Sequence, residues 1–229
     1  MKVVKKYVFC SPNSNDNALI ALNMMFTHQQ WKPQQKIAYI QLSHFPDIHT
    51  YFEQTPKQTI LDLKYLLEDP DPEWDPDPVF PSPVWNEWQE LSTQDIKNIL
   101  TFLEERYDTI YIDLNLSVGK EIANEVLHRA TKIIIPTNIA PSNLAGVESF
   151  FSKYKSLSPR CSLILNQCPA LSKFFVKQKL KTQDINILGT LPVVRKHLWE
   201  QTFEAVPLAF HRNSKWKKEL FKLLKKLNA

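Results

Sequence analysis

The sequence predicts an α/β fold: a doubly wound, mostly parallel sheet flanked by helices, in one domain that ends in an amphipathic helix. Three observations predict it. Short apolar runs such as "KYVFC" (6–10), "DTIYIDL" (108–114) and "TKIIIPT" (131–137) are apolar nearly throughout, as strands buried on both faces are. The stretches between them repeat at helical spacing, so strands and helices alternate along the chain. With 229 residues and 43% hydrophobic side chains, the chain can bury one large core.

The elements follow in order. "KYVFC" leads into a helix over 17–29 with Leu19, Leu22, Met25 and Phe26 at helical spacing, and "KIAYIQL" (36–42) is the second strand. A helix over 57–69 runs through Ile60, Leu63, Leu66 and Leu67. Another over 92–107 opens with a capping Ser or Thr and carries Ile96, Ile99, Leu100 and Leu103. Strand 108–114, helix 119–130, strand 131–137, helix 142–157, strand 161–167, helix 171–183 and strand 185–192 complete the alternation. That gives six strands and no internal repeat.

Residues 68–88 interrupt this pattern. They hold six prolines and three tryptophans, Trp74, Trp85 and Trp88, and cannot form a regular helix or a central strand. The simpler reading is a rigid surface loop whose tryptophans pin it to the body. The sharper one is a partner-docking ribbon.

Composition excludes several classes. Cys10, Cys161 and Cys168 are scattered, which fits reduced thiols in a cytoplasmic protein rather than a disulfide framework or a zinc site. The six histidines are dispersed, so no metal site is expected. The basic, then apolar amino end is too short in its apolar part for a signal peptide, and no stretch approaches the ~18 apolar residues of a membrane span. The charge is uneven. From His211 onward there are seven basic residues and one acidic, leaving a body with 21 basic against 23 acidic. The body is no nucleic-acid-binding surface; the tail is where basic character lies.

The first strand–loop–helix unit stands where α/β nucleotide-binding proteins carry their phosphate loop. Here the loop reads Ser11, Pro12, Asn13, Ser14, Asn15, Asp16, Asn17, with no glycine and no lysine. Its context is nevertheless specific. The chain resembles the MinD/ParA branch of the P-loop ATPases from Lys6 to about Ala209, and within it the CpaE/TadZ type associated with pilus and secretion machinery. Ser11, Pro12, Ala21, Leu22 and Asn23 match that pattern around the loop. Phe45, Asp47, Pro56, Lys57, Thr59, Asp62 and Leu63 match the region after the second strand. Asp113 stands at the Walker B aspartate, Asn166 at the asparagine near the base, and Pro192 with "EAVPLA" at the segment that closes the base pocket.

Where the chain departs from the family, the physics is unfavourable to ATP. A phosphate loop rings the phosphates with backbone N–H groups, a lysine offsets their charge, and a Ser or Thr holds Mg²⁺. Residues 13–20 offer no cation, Asp16 adds repulsion, and Leu19 and Ile20 cannot ligate a metal. Gln41 and Ser43 replace the family's switch carboxylates. Asp113 alone makes a weak metal site and reads as a strand-end residue that caps the next turn. The resemblance therefore implies a degenerate Walker A loop, a pseudo-ATPase with no catalytic residues, and no nucleotide or metal cofactor. A weak anion site on the Asn-rich loop stays open.

The tail, "SKWKKELFKLLKKLNA" (214–229), puts Trp216, Leu220, Leu223, Leu224 and Leu227 on one helical face, with Phe221 at its edge. Lys217, Lys218, Lys222, Lys225 and Lys226 lie on the other. This composition suits a helix lying in an anionic membrane interface, where each Lys contributes about 1 kcal/mol. It also resembles the targeting helix of MinD in position. A last helix packed on the body explains the stripe equally well. DNA binding is not expected, because it needs no Trp-Leu stripe.

The expected organisation is a domain over 1–210, including the 68–88 insert, and a helix over 211–229. The expected function is a non-catalytic scaffold that positions a membrane-associated pilus or secretion complex through protein partners. It would act as a homodimer or a heterodimer with an active paralogue, in the cytoplasm or at the inner face of the membrane. Two alternatives stay open: a residual ATPase acting as a localisation switch, and a soluble adaptor docking through 68–88.

Overall fold

The structure is a computed structural model that describes residues 3–12, 16–44, 58–71, 74, 77–169, 172–180, 185–193, 207–210 and 215–228. Seven parallel strands form one sheet in the order β3-β2-β4-β1-β5-β6-β7. They are β1 (Lys5–Phe9), β2 (Ile37–Leu42), β3 (Val79–Phe80), β4 (Thr109–Leu114), β5 (Lys132–Thr137), β6 (Cys161–Leu165) and β7 (Asn186–Thr190). The helices are α1 (Asp16–Trp31), α2 (Ile60–Glu68), α3 (Trp85–Trp88), α4 (Thr93–Arg106), α5 (Lys120–Arg129), α6 (Pro141–Lys153), α7 (Ser172–Lys179) and α8 (Lys215–Asn228). The order runs outward in both directions from the central strand β1, which puts helices on both faces, as the apolar strands require.

The pleat sorts the core. Val8 of β1 and Cys10 just after it face a cluster built with α2, α4, α5, α6 and α7. Tyr7 and Phe9 face the opposite cluster, built with α1 and α8. Helix α1 is covered on two sides, by the sheet and by α8 with the short turn Leu208–Phe210. That explains why Ala18, Leu19, Ile20, Ala21, Leu22, Met24 and Met25 are all buried and why its apolar residues do not keep to one stripe. Asn23 sits within this layer. It donates to Leu19 O at 2.8 Å and accepts from Ala209 N–H at 2.7 Å, so the asparagine of "ALN" pins the 208–210 turn to α1.

Two helix starts are capped as their sequences dictate. Ser92 and Asp95 form a reciprocal capping box at α4, and Thr59 and Asp62 do the same at α2. Thr59 and Asp62 thus have a local backbone role. Phe45, Asp47, Pro56 and Lys57 lie outside the described residues.

The proline-rich insert contributes the seventh strand, which the sequence reading did not anticipate. β3 is a two-residue edge strand paired with β2, and an edge is where flanking prolines are tolerated. Trp74 packs beside Phe80 and Phe102, at ring-centre distances of 6.4 and 6.1 Å, and Trp88 is buried. Of the insert's three tryptophans, Trp85 is the exposed one, at 46% of its surface. Trp74 and Trp88 thus pack on the body, while Trp85 is left to solvent.

The C-terminal helix is also part of the body. Trp216, Leu220, Leu223, Leu224 and Leu227 of α8 are buried in the cluster with α1, and Phe221 packs at its edge with its ring 5.5 Å from that of Trp31. Lys217 Nζ donates to Gln30 Oε1 at 2.9 Å, and Lys226 Nζ to Leu188 O at 2.9 Å. Lys218, Lys222 and Lys225 are exposed. Of the two readings of the tail, packing on the domain is the one found, so the Trp-Leu stripe meets a bilayer only if α8 leaves α1. Among the described residues, no helix is long and apolar enough to cross a membrane.

Candidate functional site at the carboxyl end of the sheet

Parallel α/β sheets place ligands at the carboxyl ends of their strands, where successive loops diverge. Here that end collects Phe9, Gln41, Asp113, Thr137 and Asn166 from β1, β2, β4, β5 and the turn after β6. Two rows of side chains cross the central strands beneath α1. Tyr39, Tyr111 and Tyr7 are adjacent in register on β2, β4 and β1. One pleat further on come Gln41, Asp113 and Phe9.

Each tyrosine of the first row has a polar partner. Tyr7 OH donates to Leu227 O of α8 at 3.2 Å. Tyr111 OH lies 2.9 Å from His28 Nδ1 on α1. Tyr39 OH donates to Asp113 Oδ2 at 3.2 Å. Burial drives the acidities: the Tyr7 hydroxyl is pushed up to about 12, Tyr111 is raised well above its ordinary value, and His28 is lowered to about 4. All three are neutral at physiological pH.

In the second row, Gln41 Nε2 donates to Asp113 Oδ2 at 3.0 Å. Both residues are essentially out of water. The carboxylate oxygen thus has an amide and a phenol as donors. On the turn that follows β4, Asn115 Oδ1 accepts from Ser117 N–H at 3.0 Å. Ser43 has its N–H bonded to Ser82 Oγ at 2.7 Å, and Ser82 Oγ donates in turn to Gln41 O at 2.6 Å. The end of β2 is therefore stitched to the 68–88 insert.

At the loop, Ser11 and Pro12 are half-buried and Asn17 is buried, with Nδ2 3.5 Å from Leu114 O. Asn13, Ser14 and Asn15 lie outside the described residues, as does the side chain of Asp16, which heads α1. Leu19 and Ile20 point into the apolar core. A nucleotide's phosphate end fits these residues poorly: loop 11–17 has no cation, the metal-ligand position is apolar, and Asp113 is bonded to Gln41.

At the other side of this end lies Asn166, the position that the resemblance assigns to the base. Asn166 is fully buried, and neither of its side-chain amide atoms has a hydrogen-bond partner among the described residues. Beyond it a cleft of about 360 Å³ is lined by Cys168, Pro169, Thr190, Pro192, Val193, Lys215 and Glu219. Among the described residues, no three His, Cys, Asp or Glu side chains gather to hold a metal ion.

Sequence reasoning missed the tyrosine row and His28. The signal was present: "YIQL" in β2 and "YIDL" in β4 are near copies, and in-register parallel pairing sets Tyr beside Tyr and Gln beside Asp.

No protein-family model matches the sequence, and no curated protein matches it. Solved structures do match its fold. A ParA family ATPase from Chlorobium tepidum is 16% identical, with a TM-score of 0.84 over 100% of both chains. MinD in the MinC:MinD cell division complex of Aquifex aeolicus is 15% identical, with a TM-score of 0.77 over 98% of this chain and 96% of its own. A putative plasmid partition protein of Borrelia burgdorferi, bound to AMPPNP, is 18% identical, with a TM-score of 0.74 over 99% of each chain. Identities this low establish architecture alone, and the architecture is that of the MinD/ParA-type P-loop ATPases.

Proposed function

We propose that the chain is a non-catalytic scaffold on the MinD/ParA fold, a pseudo-ATPase that positions a membrane-associated complex such as a pilus or secretion assembly through protein contacts. The observation that carries this is the Gln41–Asp113 pair. Two carboxylates side by side at this end of the sheet need a cation to be stable together. An amide beside a carboxylate needs none, because the amide N–H donates directly. In this reading the Asp113 carboxylate has its donors from Gln41 and Tyr39 and needs no Mg²⁺ to hold it. The loop's lack of glycine and lysine and the buried Leu19 and Ile20 support the same reading.

In this reading the loop end of the sheet is a protein interface. Pairing with a second copy or with an active paralogue then proceeds without ATP. The MinC:MinD complex is a precedent for partner binding on this architecture. Phosphate release from Mg-ATP tests the claim. Release at the buffer blank, unchanged in Asp113→Asn, is expected; release above the blank that Asp113→Asn abolishes would establish a residual ATPase instead. Gel filtration should give one elution volume with and without ATP, and a nucleotide-dependent shift would contradict ATP-independent pairing.

A further inference from the structure

Helix α7 presents a surface that neither the fold nor the nucleotide-site geometry uses. Ser172, Val176 and Leu180 recur every fourth residue and are buried, and they hold the segment against the body beside β7. Phe174 and Phe175 therefore project outward, 76% and 42% exposed. A large aromatic side chain left in water costs free energy, and two in succession are an unusual surface feature. Lys177 and Lys179 are exposed beside them and Lys173 is half-buried. Lys179 Nζ lies 5.9 Å from the Phe175 ring centre. The stretch 171–183 holds four lysines and no acidic residue. Among the described residues none of Lys173, Lys177 and Lys179 has an acidic partner. Glu219, which lines the cleft at the amino end of α7, is held by Lys222 at 2.8 Å.

We propose that α7 is the surface by which this chain docks on an anionic lipid membrane, with Phe174 and Phe175 entering the acyl boundary and Lys173, Lys177 and Lys179 meeting the headgroups. The charge is complementary to anionic lipid along the whole helix. The aromatic tips stand on a convex helix rather than in a groove, and a fluid bilayer accepts a convex apolar surface without a shaped counterpart. The α8 stripe is already used inside the core, so membrane contact through α7 requires no part of the fold to open. This inference rests on the proposed role at a membrane-associated assembly and gives that role its contact surface.

The test is co-sedimentation of the full chain with vesicles of phosphatidylcholine alone and of phosphatidylcholine with about one third phosphatidylglycerol. The proteins compared are wild type, Phe174→Ser/Phe175→Ser, and Lys173→Glu/Lys177→Glu/Lys179→Glu. All substituted side chains except Lys173 are exposed, and matching thermal midpoints confirm that the variants fold. The wild type should pellet with the anionic vesicles only, and each variant should bind about tenfold more weakly or less. If the wild type binds neither vesicle, the membrane role itself fails and α7 falls with it, leaving an acidic protein surface as the counterpart to seek. If the wild type binds and the variants bind as well as it does, the membrane role stands and the assignment to α7 is overturned. Loss in the lysine variant with none in the phenylalanine variant would also overturn it, because only a charge patch would remain.

Discussion

Gln41 and Asp113 stand directly opposite one another on β2 and β4, joined by a side-chain hydrogen bond of 3.0 Å. Replacing Gln41 by Glu would set two carboxylates at that distance in a place almost without water. The expected cost is about 2–4 kcal/mol at pH 7. One carboxyl of the new pair would have a raised pKa in the folded state, so the loss should shrink as pH falls towards 4.5 and a proton is shared. Urea denaturation of Gln41→Glu and wild type at the two pH values checks both the size and the sign.

Helix α8 docks where β7 has no side chain. A Cβ on Gly189 would strike Leu223 Cδ2 of α8. Gly189→Ala should therefore destabilise the fold by about 1–3 kcal/mol through overpacking. Leu223→Ala should cost about 2–5 kcal/mol by leaving a cavity. The double variant should lose less than the two separate losses combined, because the cavity receives the new methyl group. Equilibrium unfolding of the three proteins measures this coupling.

His28 gives a pH dependence of defined sign. Burial chiefly, with help from Lys32 and Lys5 and against a weaker hydrogen-bond effect of Gln35, lowers its pKa from 6.5 to about 4. The unfolded chain takes up this proton below about pH 6.5 and the folded one only near 4. The contribution of His28 is thus complete above pH 6.5 and is lost as pH falls towards 4, by up to about 3 kcal/mol. His28→Gln cannot titrate, so its stability should fall less steeply than that of wild type over this interval. Parallel slopes would contradict the buried neutral imidazole.

The tryptophans of the insert should separate cleanly. Trp88→Ala removes a buried ring and should cost about 3–5 kcal/mol. Trp85 is half exposed, with its ring 4.5 Å from that of His44. Trp85→Ala should change stability by about 0.5 kcal/mol or less. Thermal or denaturant midpoints of the two variants provide the comparison.

Much of this fold was legible because it is written in periodicity. The strands at β1, β2, β4, β5, β6 and β7 are continuous apolar runs, and such runs can only be buried between layers. β3 was not legible: two residues between prolines carry no pattern, and the strand exists because β2 offers an edge. The tail was ambiguous for a physical reason. A stripe of Trp and Leu is the same whether it meets α1 or a bilayer, and only the contacts of Trp216, Leu220 and Leu224 decide which. At the site, the missing glycine and lysine were visible in residues 11–17, but the Gln41–Asp113 bond depends on register, which pairing sets and sequence does not state. The sequence of α7 shows only a helix. Its exposed Phe174 and Phe175 emerge only once Val176 is known to face inward.

Calorimetric titration of the full chain with Mg-ATP and Mg-ADP tests the central claim most directly. The account predicts no saturable heat at millimolar nucleotide, because loop 11–17 has no cation for the phosphates and Gln41, not a second carboxylate, stands beside Asp113. Saturable binding of Mg-ATP would contradict it and would mean that the asparagine-rich loop cradles phosphate after all.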